Sequence, residues 1–495
     1  MTAQLKNLVG GKWLDQAGEE THEIINPADG KTVVATLKYS TGGDVLDAVA
    51  AAKEAFPDWR ATPVHRRCRI LFHVKELLEQ NLDAVAEITV AEHGKTMEEA
   101  QGDLRRGIEV VEFVAGMPSL SKGDFIEDIA TRIDGYIYRE PLGVCVAACP
   151  FNFPAMVPMW MYPVAIACGN TFVLKPSDKC PATATRVAEI MVEGGLPPGV
   201  LNVVQGGRET FEALITHDDV RGVSFVGSTP AAESVWTLGT RCHKRVQALG
   251  GAKNHIIVLP DADKAATIKG IIGSAYDCAG QRCMGCAVAV LVGKAQDWLD
   301  DLVAAARALK LGSGMDPATD MGPVVSAAAK ERIERCIQEA VDEGARIVLD
   351  GRGVKVAGME GGLFVGPTVL DGVTPEMKTT QTEIFGPVLS VMRAETLDEA
   401  IDMANASPYG NGHSIFTSSG GAARHFRNRI ECGMLGINAG VPAPMAFFAF
   451  GGHKRSLFGD LRLQGTDGIE FYTQKKSVIE RWYGLGATGS VWGRG

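Results

Sequence analysis

The sequence predicts an α/β protein with two domains and a bridging β arm, and three observations carry that reading. At 495 residues the chain exceeds the ~250–300 at which a single hydrophobic core stops growing, so it must divide. From Pro141 onward short apolar runs alternate with helical patterns, the rhythm of a parallel sheet wrapped by helices. After Gly250-Gly251 the same rhythm begins again. Ahead of both, the alternating run Arg132-Ile133-Asp134-Gly135-Tyr136-Ile137-Tyr138 interrupts a helical region and reads as the strand of an arm.

Composition narrows the class. With 46% hydrophobic and 22% charged residues the chain reads as a folded globular protein, and its 58 glycines suit an α/β fold rich in tight turns. A net charge of -10 without a long basic run argues against a nucleic-acid partner. Eleven cysteines without a framework spacing predict reduced thiols, as in the cytoplasm. The start, Met-Thr-Ala-Gln-Leu-Lys-Asn, has no apolar signal region, and no run of eighteen apolar residues occurs, so no membrane partner is expected.

Residues 8 to 36 place the turn signals Gly10-Gly11, Asn26-Pro27 and Asp29-Gly30 between short apolar runs, which predicts an opening hairpin. From Gly43 to about Ala115 apolar residues recur at helical spacing, as in Leu71, Val74, Leu77 and Leu78, with breaks expected at Pro57, Pro63 and Gly94. The alternation then predicts strands over 144–148, 171–174, 200–204 and 222–226, with helices over 182–193 and near 209–216. This is a dinucleotide-binding arrangement, yet it has no Gly-x-Gly-x-x-Gly fingerprint. Gly227-Ser228-Thr229-Pro230 offers another way to hold a pyrophosphate, because a capping Ser228 or Thr229 and Pro230 in the first turn would aim free N–H groups at it. A helix start without a ligand is the equally common alternative. Past Gly251 the pattern predicts strands over 287–292, 346–349 and 388–392 and helices over 298–309 and 327–343. The tail Gly468-Ile469-Glu470-Phe471-Tyr472-Thr473 reads as a strand and a partner for the arm.

The segment Tyr276-Asp277-Cys278-Ala279-Gly280-Gln281-Arg282-Cys283-Met284-Gly285-Cys286 concentrates chemistry. Cys283 is the candidate nucleophile: a thiolate does the reacting, and Arg282 beside it is the kind of neighbour that lowers a thiol pKa or holds an anionic substrate. Cysteine is more often buried as a small hydrophobe, which is the reading given to Cys278 and Cys286. The three thiols also match an iron–sulfur spacing. Against that, the segment runs into apolar 287–292 and no downstream cysteine lies in comparable loop chemistry, so no metal is expected. The Cys283-to-Cys286 redox spacing lacks the strand that should precede it.

Taken in order, seven motifs resemble the aldehyde dehydrogenase superfamily over nearly the whole chain. They are Pro150-Phe151-Asn152-Phe153-Pro154, Lys175-Pro176-Ser177, Phe225-Val226-Gly227-Ser228-Thr229, Leu249-Gly250-Gly251, Gly280-Gln281-Arg282-Cys283, Glu383-Ile384-Phe385-Gly386-Pro387 and Phe450-Gly451-Gly452. The resemblance implies a Rossmann-type NAD-binding domain (1–122 and 140–250), a catalytic domain (251–449) and a bridging, oligomerising segment (123–139 and 466–495) in a homodimer or homotetramer. It implies Cys283 as nucleophile and Asn152 as oxyanion donor. It places Lys175 and Glu383 on ribose hydroxyls, Gly227 and Ser228 by the pyrophosphate, Phe385 beside the nicotinamide and Phe151 in the same cofactor site. Asp178 would repel a 2′-phosphate and favour NAD over NADP if it faces the ribose, and capping the helix near Pro181 is its other reading.

One departure points to a branch of that family. Hydrolytic members carry a glutamate before Leu-Gly-Gly to activate water, whereas this chain reads Ala248-Leu249-Gly250-Gly251. The thioester would then wait for a better nucleophile, and a coenzyme A thiol, with a pKa near the ~8.5 of cysteine, is partly ionised at neutral pH. With Arg106-Gly107-Ile108-Glu109 and the 468–474 tail, the pattern resembles the CoA-acylating branch that oxidises methylmalonate and malonate semialdehydes with loss of carbon dioxide, chemistry of valine and inositol catabolism. That resemblance implies that Arg106 and Arg282 grip the substrate carboxylate, although pattern alone reads Arg105-Arg106 as a solvated helix face. The alternatives are a CoA-acylating or hydrolytic dehydrogenase of another short carboxylated aldehyde such as succinate semialdehyde, a binding protein on the same scaffold, and a ferredoxin-like carrier.

Overall fold

The computed structural model describes residues 3–482. Strands buried on both faces need near-continuous apolar runs, and Val144–Ala148 and Thr171–Lys175 are buried throughout. They lie at the centre of an eight-stranded sheet ordered Leu457–Phe458, Arg245–Leu249, Val220–Val226, Val144–Ala148, Thr171–Lys175, Leu201–Val203, Asn7–Val9, Lys12–Leu14. The five inner strands are parallel, and their order reverses between Val144–Ala148 and Val220–Val226. Such a switch point opens a crevice beyond the carboxyl ends of the strands, where open α/β sheets bind ligands. Register pairs Ala148 with both Lys175 and Phe225, and Phe225 with Ala248, so neighbouring strands end side by side at the motifs.

A second sheet runs Arg346–Leu349, Thr368–Asp371, Val388–Ala394, Cys286–Val292, Asn254–Val258, Gly412–Phe416, Met434–Ile437, parallel except at Arg346–Leu349. Its central strand Cys286–Val292 starts where the cysteine segment ends, which aims that segment at the first sheet's crevice. The α/β fold class is thus the one expected, with a Rossmann-type sheet, a second sheet and an arm.

The helical stretch resolves into Gly42–Ala61, Val64–Gln80, Leu82–His93 and Met97–Ala115. Thr41 with Asp44, and Thr96 with Glu99, form capping boxes that start the first and last of these. Pro57 does not break its helix: the residue is exposed, as is Lys53 one turn earlier, so water can take the carbonyl that proline leaves unbonded. The opening segment also differs, since Asn7–Val9 and Lys12–Leu14 make a hairpin on the large sheet while Thr21–Ile25 and Val33–Lys38 pair in a separate one.

The arm pairs as a three-stranded antiparallel sheet of Thr473–Glu480, Ile133–Pro141 and Phe125–Ala130. The tail strand therefore begins at Thr473, and residues 468–471 belong to the helix Gly465–Phe471. Gly468, Ile469 and Phe471 are buried, and a Cβ on Gly468 would stand 3.4 Å from Val164 of the helix Tyr162–Cys168. A short apolar run does not distinguish a buried strand from a buried turn of helix. Of the bridging segment read from the sequence, residues 483–495 lie outside the described residues.

Candidate active site

Cys283 follows a backbone run that few sequences tolerate. Cys278, Ala279 and Gly280 have φ of 54°, 52° and 69°, and a Cβ at Gly280 would sit 2.1 Å from the Gly386 carbonyl oxygen. Polar anchors fix this run from four sides. The Cys278 N–H donates to Glu99 Oε1 at 2.6 Å, and the Val325 N–H donates to Gln281 Oε1 at 3.1 Å. Asn254 Nδ2 donates to the carbonyls of Cys283 and Gly285 at 2.8 and 2.9 Å, and Asn411 Nδ2 to that of Cys283 at 3.1 Å. Asn254 and Asn411 escaped the sequence reading, because a polar residue entering a strand carries no signal of what it will bond.

Asn152 is buried just past the strand Val144–Ala148, and its Nδ2 donates to the Gln281 carbonyl at 2.9 Å. One N–H of the amide is thus committed to the cysteine turn, and the other remains for a ligand. Lys95, also missed from sequence, holds Asn152 from behind: its buried ammonium donates to the Asn152 carbonyl at 2.7 Å and lies 3.6 Å from Asp103.

Two cavities meet at Cys283, which lines both. The first, about 750 Å³, lies over the sheet crevice and gathers Phe151, Lys175, Asp178, Gly227, Ser228, Glu383 and Phe385 from distant parts of the chain. Lys175 is buried with its ammonium on the Pro176 and Gly206 carbonyls at 2.7 and 2.8 Å. Ser228 is the N-cap of the helix Thr229–Arg241 but makes no side-chain cap bond, so backbone N–H groups of its first turn face the cavity without that partner. Phe385, at φ 56°, meets Phe151 edge-on with ring centroids 5.8 Å apart. Asp178 does not cap the next helix. Glu92 does so, accepting from the Ala182 and Thr183 N–H groups at 2.8 and 2.9 Å, while Tyr39 donates its hydroxyl to Asp178 at 3.4 Å.

The second cavity, about 950 Å³, opens on the other side of Cys283 and is lined by Arg106 and Arg282. Arg106 donates to Glu109 and Arg282 to Asp277, each at 2.9 Å. Each guanidinium is therefore half neutralised yet keeps further N–H donors. Arg105 does not line this cavity, so the adjacent arginines divide between site and surface as helical spacing requires.

Electrostatics correct one expectation. Burial, reinforced by the Glu383 carboxylate, pushes the Cys283 thiol up to about 12, and the opposing pull of Arg282 does not offset it. Burial likewise raises Glu383 to about 7, against the lowering effects of the Ala252 N–H, Lys253 and Arg332. Ala248 is fully buried among core side chains of the large sheet, leaving Glu383 as the carboxylate whose charge bears on Cys283. Cys278 and Cys286 are buried. Among the described residues no three His, Cys, Asp or Glu side chains are placed to hold a metal, and no helix is long and apolar enough to cross a membrane.

The chain is similar to known proteins over nearly its whole length. The chain is 49% identical to malonate-semialdehyde dehydrogenase 1 of Oceanobacillus iheyensis, over 97% of this chain and 99% of that protein. It is 47% identical to the acylating, mitochondrial methylmalonate-semialdehyde dehydrogenase of Arabidopsis thaliana, over 97% of this chain and 79% of that protein. A crystal structure from Sinorhizobium meliloti 1021, solved with NAD, superposes with a TM-score of 0.96 at 45% identity, covering 98% of this chain and 99% of the other. Residues 13–478 match the profile of the aldehyde dehydrogenase family, and the chain belongs to that family of enzymes.

Proposed function

We propose that this enzyme oxidises methylmalonate and malonate semialdehydes with NAD, releases the carboxylate as carbon dioxide and passes the acyl group to coenzyme A. The observation that carries this reading is Cys283 at the junction of two unlike cavities, one built around a helix N-terminus and the other around two arginines. The names of the relatives and the NAD in the Sinorhizobium structure support it.

The first cavity fits a dinucleotide. The uncapped turn behind Ser228 suits a pyrophosphate, and Lys175 and Glu383 offer a cation and a carboxylate for ribose hydroxyls. Gly251 permits close approach, since a Cβ there would stand 2.5 Å from Glu383. Asp178 in the lining favours NAD, because its charge would repel a 2′-phosphate. Bound there, the dinucleotide would accept a hydride.

The chain's own groups do the rest in this proposal. Cys283, ionised, adds to the aldehyde carbon, and the free Asn152 N–H with the Cys283 backbone N–H hold the alkoxide, a donor typically worth on the order of 10²–10³ in rate. Arg106 and Arg282 orient the substrate carboxylate. Loss of hydride leaves a thioester on Cys283. When the carboxylate leaves, the electron pair of the broken C–C bond moves onto the thioester oxygen, where the same donors stabilise it, and the α-carbon takes a proton from water. The CoA thiolate then attacks the thioester carbon and Cys283 departs. Exposed Phe125, Ile126 and Ile479 on the arm supply an apolar face for a homo-oligomer, and eleven unpaired cysteines suit the cytoplasm.

The size of the second cavity favours one further reading, a longer substrate such as succinate semialdehyde. A panel of semialdehydes assayed for NADH with and without CoA separates the two. Without CoA, one equivalent of NADH per site and then near arrest is the expected result. Full turnover to the free acid without CoA would overturn the proposal.

A further inference from the structure

Adjoining Glu383 lies a small cavity of about 20 Å³, lined among others by Lys253, Glu383, Arg282 and Asn254. Lys253 is 1% exposed, and its ammonium makes no hydrogen bond or ion pair with any described residue. A buried ammonium without a partner costs several kcal/mol, so an unpaired one aimed into a cavity calls for an occupant. The volume holds one water, and Glu383 lies across it, beyond salt-bridge distance of Lys253 but near enough for its charge to be felt. Glu383 also lines the first cavity beside Cys283. Among the described residues it is the one carboxylate that lines both places, and Ala248 offers no other base.

We propose that Glu383 shuttles the thiol proton during acyl transfer to CoA, with Lys253 acting through an interposed water as the positioning residue that keeps the carboxylate ionised. The inference rests on the CoA-acylating reading. The step balances without an outside acid or base. Glu383 takes the proton of the CoA thiol, the CoA sulfur forms a bond to the thioester carbon, and the C–S bond to Cys283 breaks. The departing Cys283 sulfur then receives that proton from Glu383. Among the described residues the charged and titratable groups facing this pair begin with Arg282, which lines the same small cavity and adds a second cation to it. Arg332, on the helix Ala327–Asp342, donates to the Glu383 backbone carbonyl at 3.3 Å and bears on its carboxylate. The Cys283 thiol lies on its cavity side, and the Cys286 and Cys336 thiols and His255 surround Lys253. Burial lowers Lys253 to about 8 and raises Glu383 to about 7, so both can exchange protons near neutrality.

The test isolates acyl transfer from oxidation. The enzyme is acylated at Cys283 with p-nitrophenyl acetate, without NAD, and acetyl-CoA formation is followed against pH in wild type and Lys253→Met. Removing the cation raises the Glu383 pKa, so the acid limb of the profile should move up by about one pH unit or more, with the plateau above it nearly kept. A uniform loss at all pH values, or an unmoved limb, makes Lys253 a packing residue and overturns the shuttle. Because the variant can misfold, wild type is also assayed with thiols of different pKa. A limb that stays in place supports Glu383 as base, and one that tracks the thiol means that the thiol ionises unaided, which overturns it. If wild-type acyl-enzyme yields no acetyl-CoA at all, the CoA-acylating reading fails first and takes the shuttle with it.

Discussion

Arg282→Leu tests substrate recognition most directly, because its side chain is 19% exposed against 39% for Arg106 and is therefore less screened by water. A charge-assisted hydrogen bond to a carboxylate contributes about 1.5–3 kcal/mol. At about 1.4 kcal/mol per tenfold, kcat/KM for malonate semialdehyde should fall about 10- to 150-fold. The change also strands Asp277. Burial raises that carboxyl to about 6 and Arg282 opposes the rise, so its removal pushes the carboxyl further up. The double variant Arg282→Leu, Asp277→Asn separates the two effects, since it removes the guanidinium without leaving a carboxylate unpaired. Rates of NADH formation with malonate semialdehyde and with propanal, a neutral aldehyde of similar size, supply the contrast. The charged substrate should lose its full factor in both variants while propanal changes by less than about threefold, the level of a lost surface contact. Equal losses for the two aldehydes would refute carboxylate recognition and leave Arg282 a support of the cysteine turn.

Cys283→Ala should abolish NADH formation, whereas Cys278→Ala and Cys286→Ala should retain most of it after correction for melting temperature. Appreciable oxidation by Cys283→Ala would remove the covalent mechanism. Asp371 supplies a stability test: burial disfavours its charge, but bonds from Arg393 and Arg346 outweigh that and hold it below the usual carboxylate range. Its folded pKa is depressed, so its contribution is complete above the unfolded carboxylate value and fades as pH falls through the folded one. Melting temperature below about pH 4 should accordingly fall more steeply in wild type than in Asp371→Asn. Parallel curves for the two would mean that the arginine pairs contribute nothing.

Much of the candidate site was legible because its members lie in short local motifs. Phe151, Asn152, Lys175, Gly227, Ser228, Cys283, Glu383 and Phe385 all fall in the motif segments, and the structure brings them to one junction. Arg106 is different: helical spacing sets it apart from Arg105 without saying which of the two faces the site, and only the fold of Met97–Ala115 places Arg106 in the cavity lining. Asp178 likewise carried two readings, and only the structure removes one of them, since Glu92 from a helix far back in the chain caps the neighbouring helix.

The sequence by itself determined the α/β class, the order of strands and helices around the motifs and the motif residues that gather at Cys283, since these depend on periodicity and on groups adjacent in the chain. It did not determine the tail helix Gly465–Phe471, whose apolar run fits either structure until Tyr162–Cys168 is there to receive it. Nor did it determine protonation. Arg282 beside Cys283 in sequence suggested a lowered thiol pKa, but burial and Glu383, one hundred residues away, set it in the opposite direction. Desolvation and charge act through space, and only the tertiary structure decides which groups come within reach of one another.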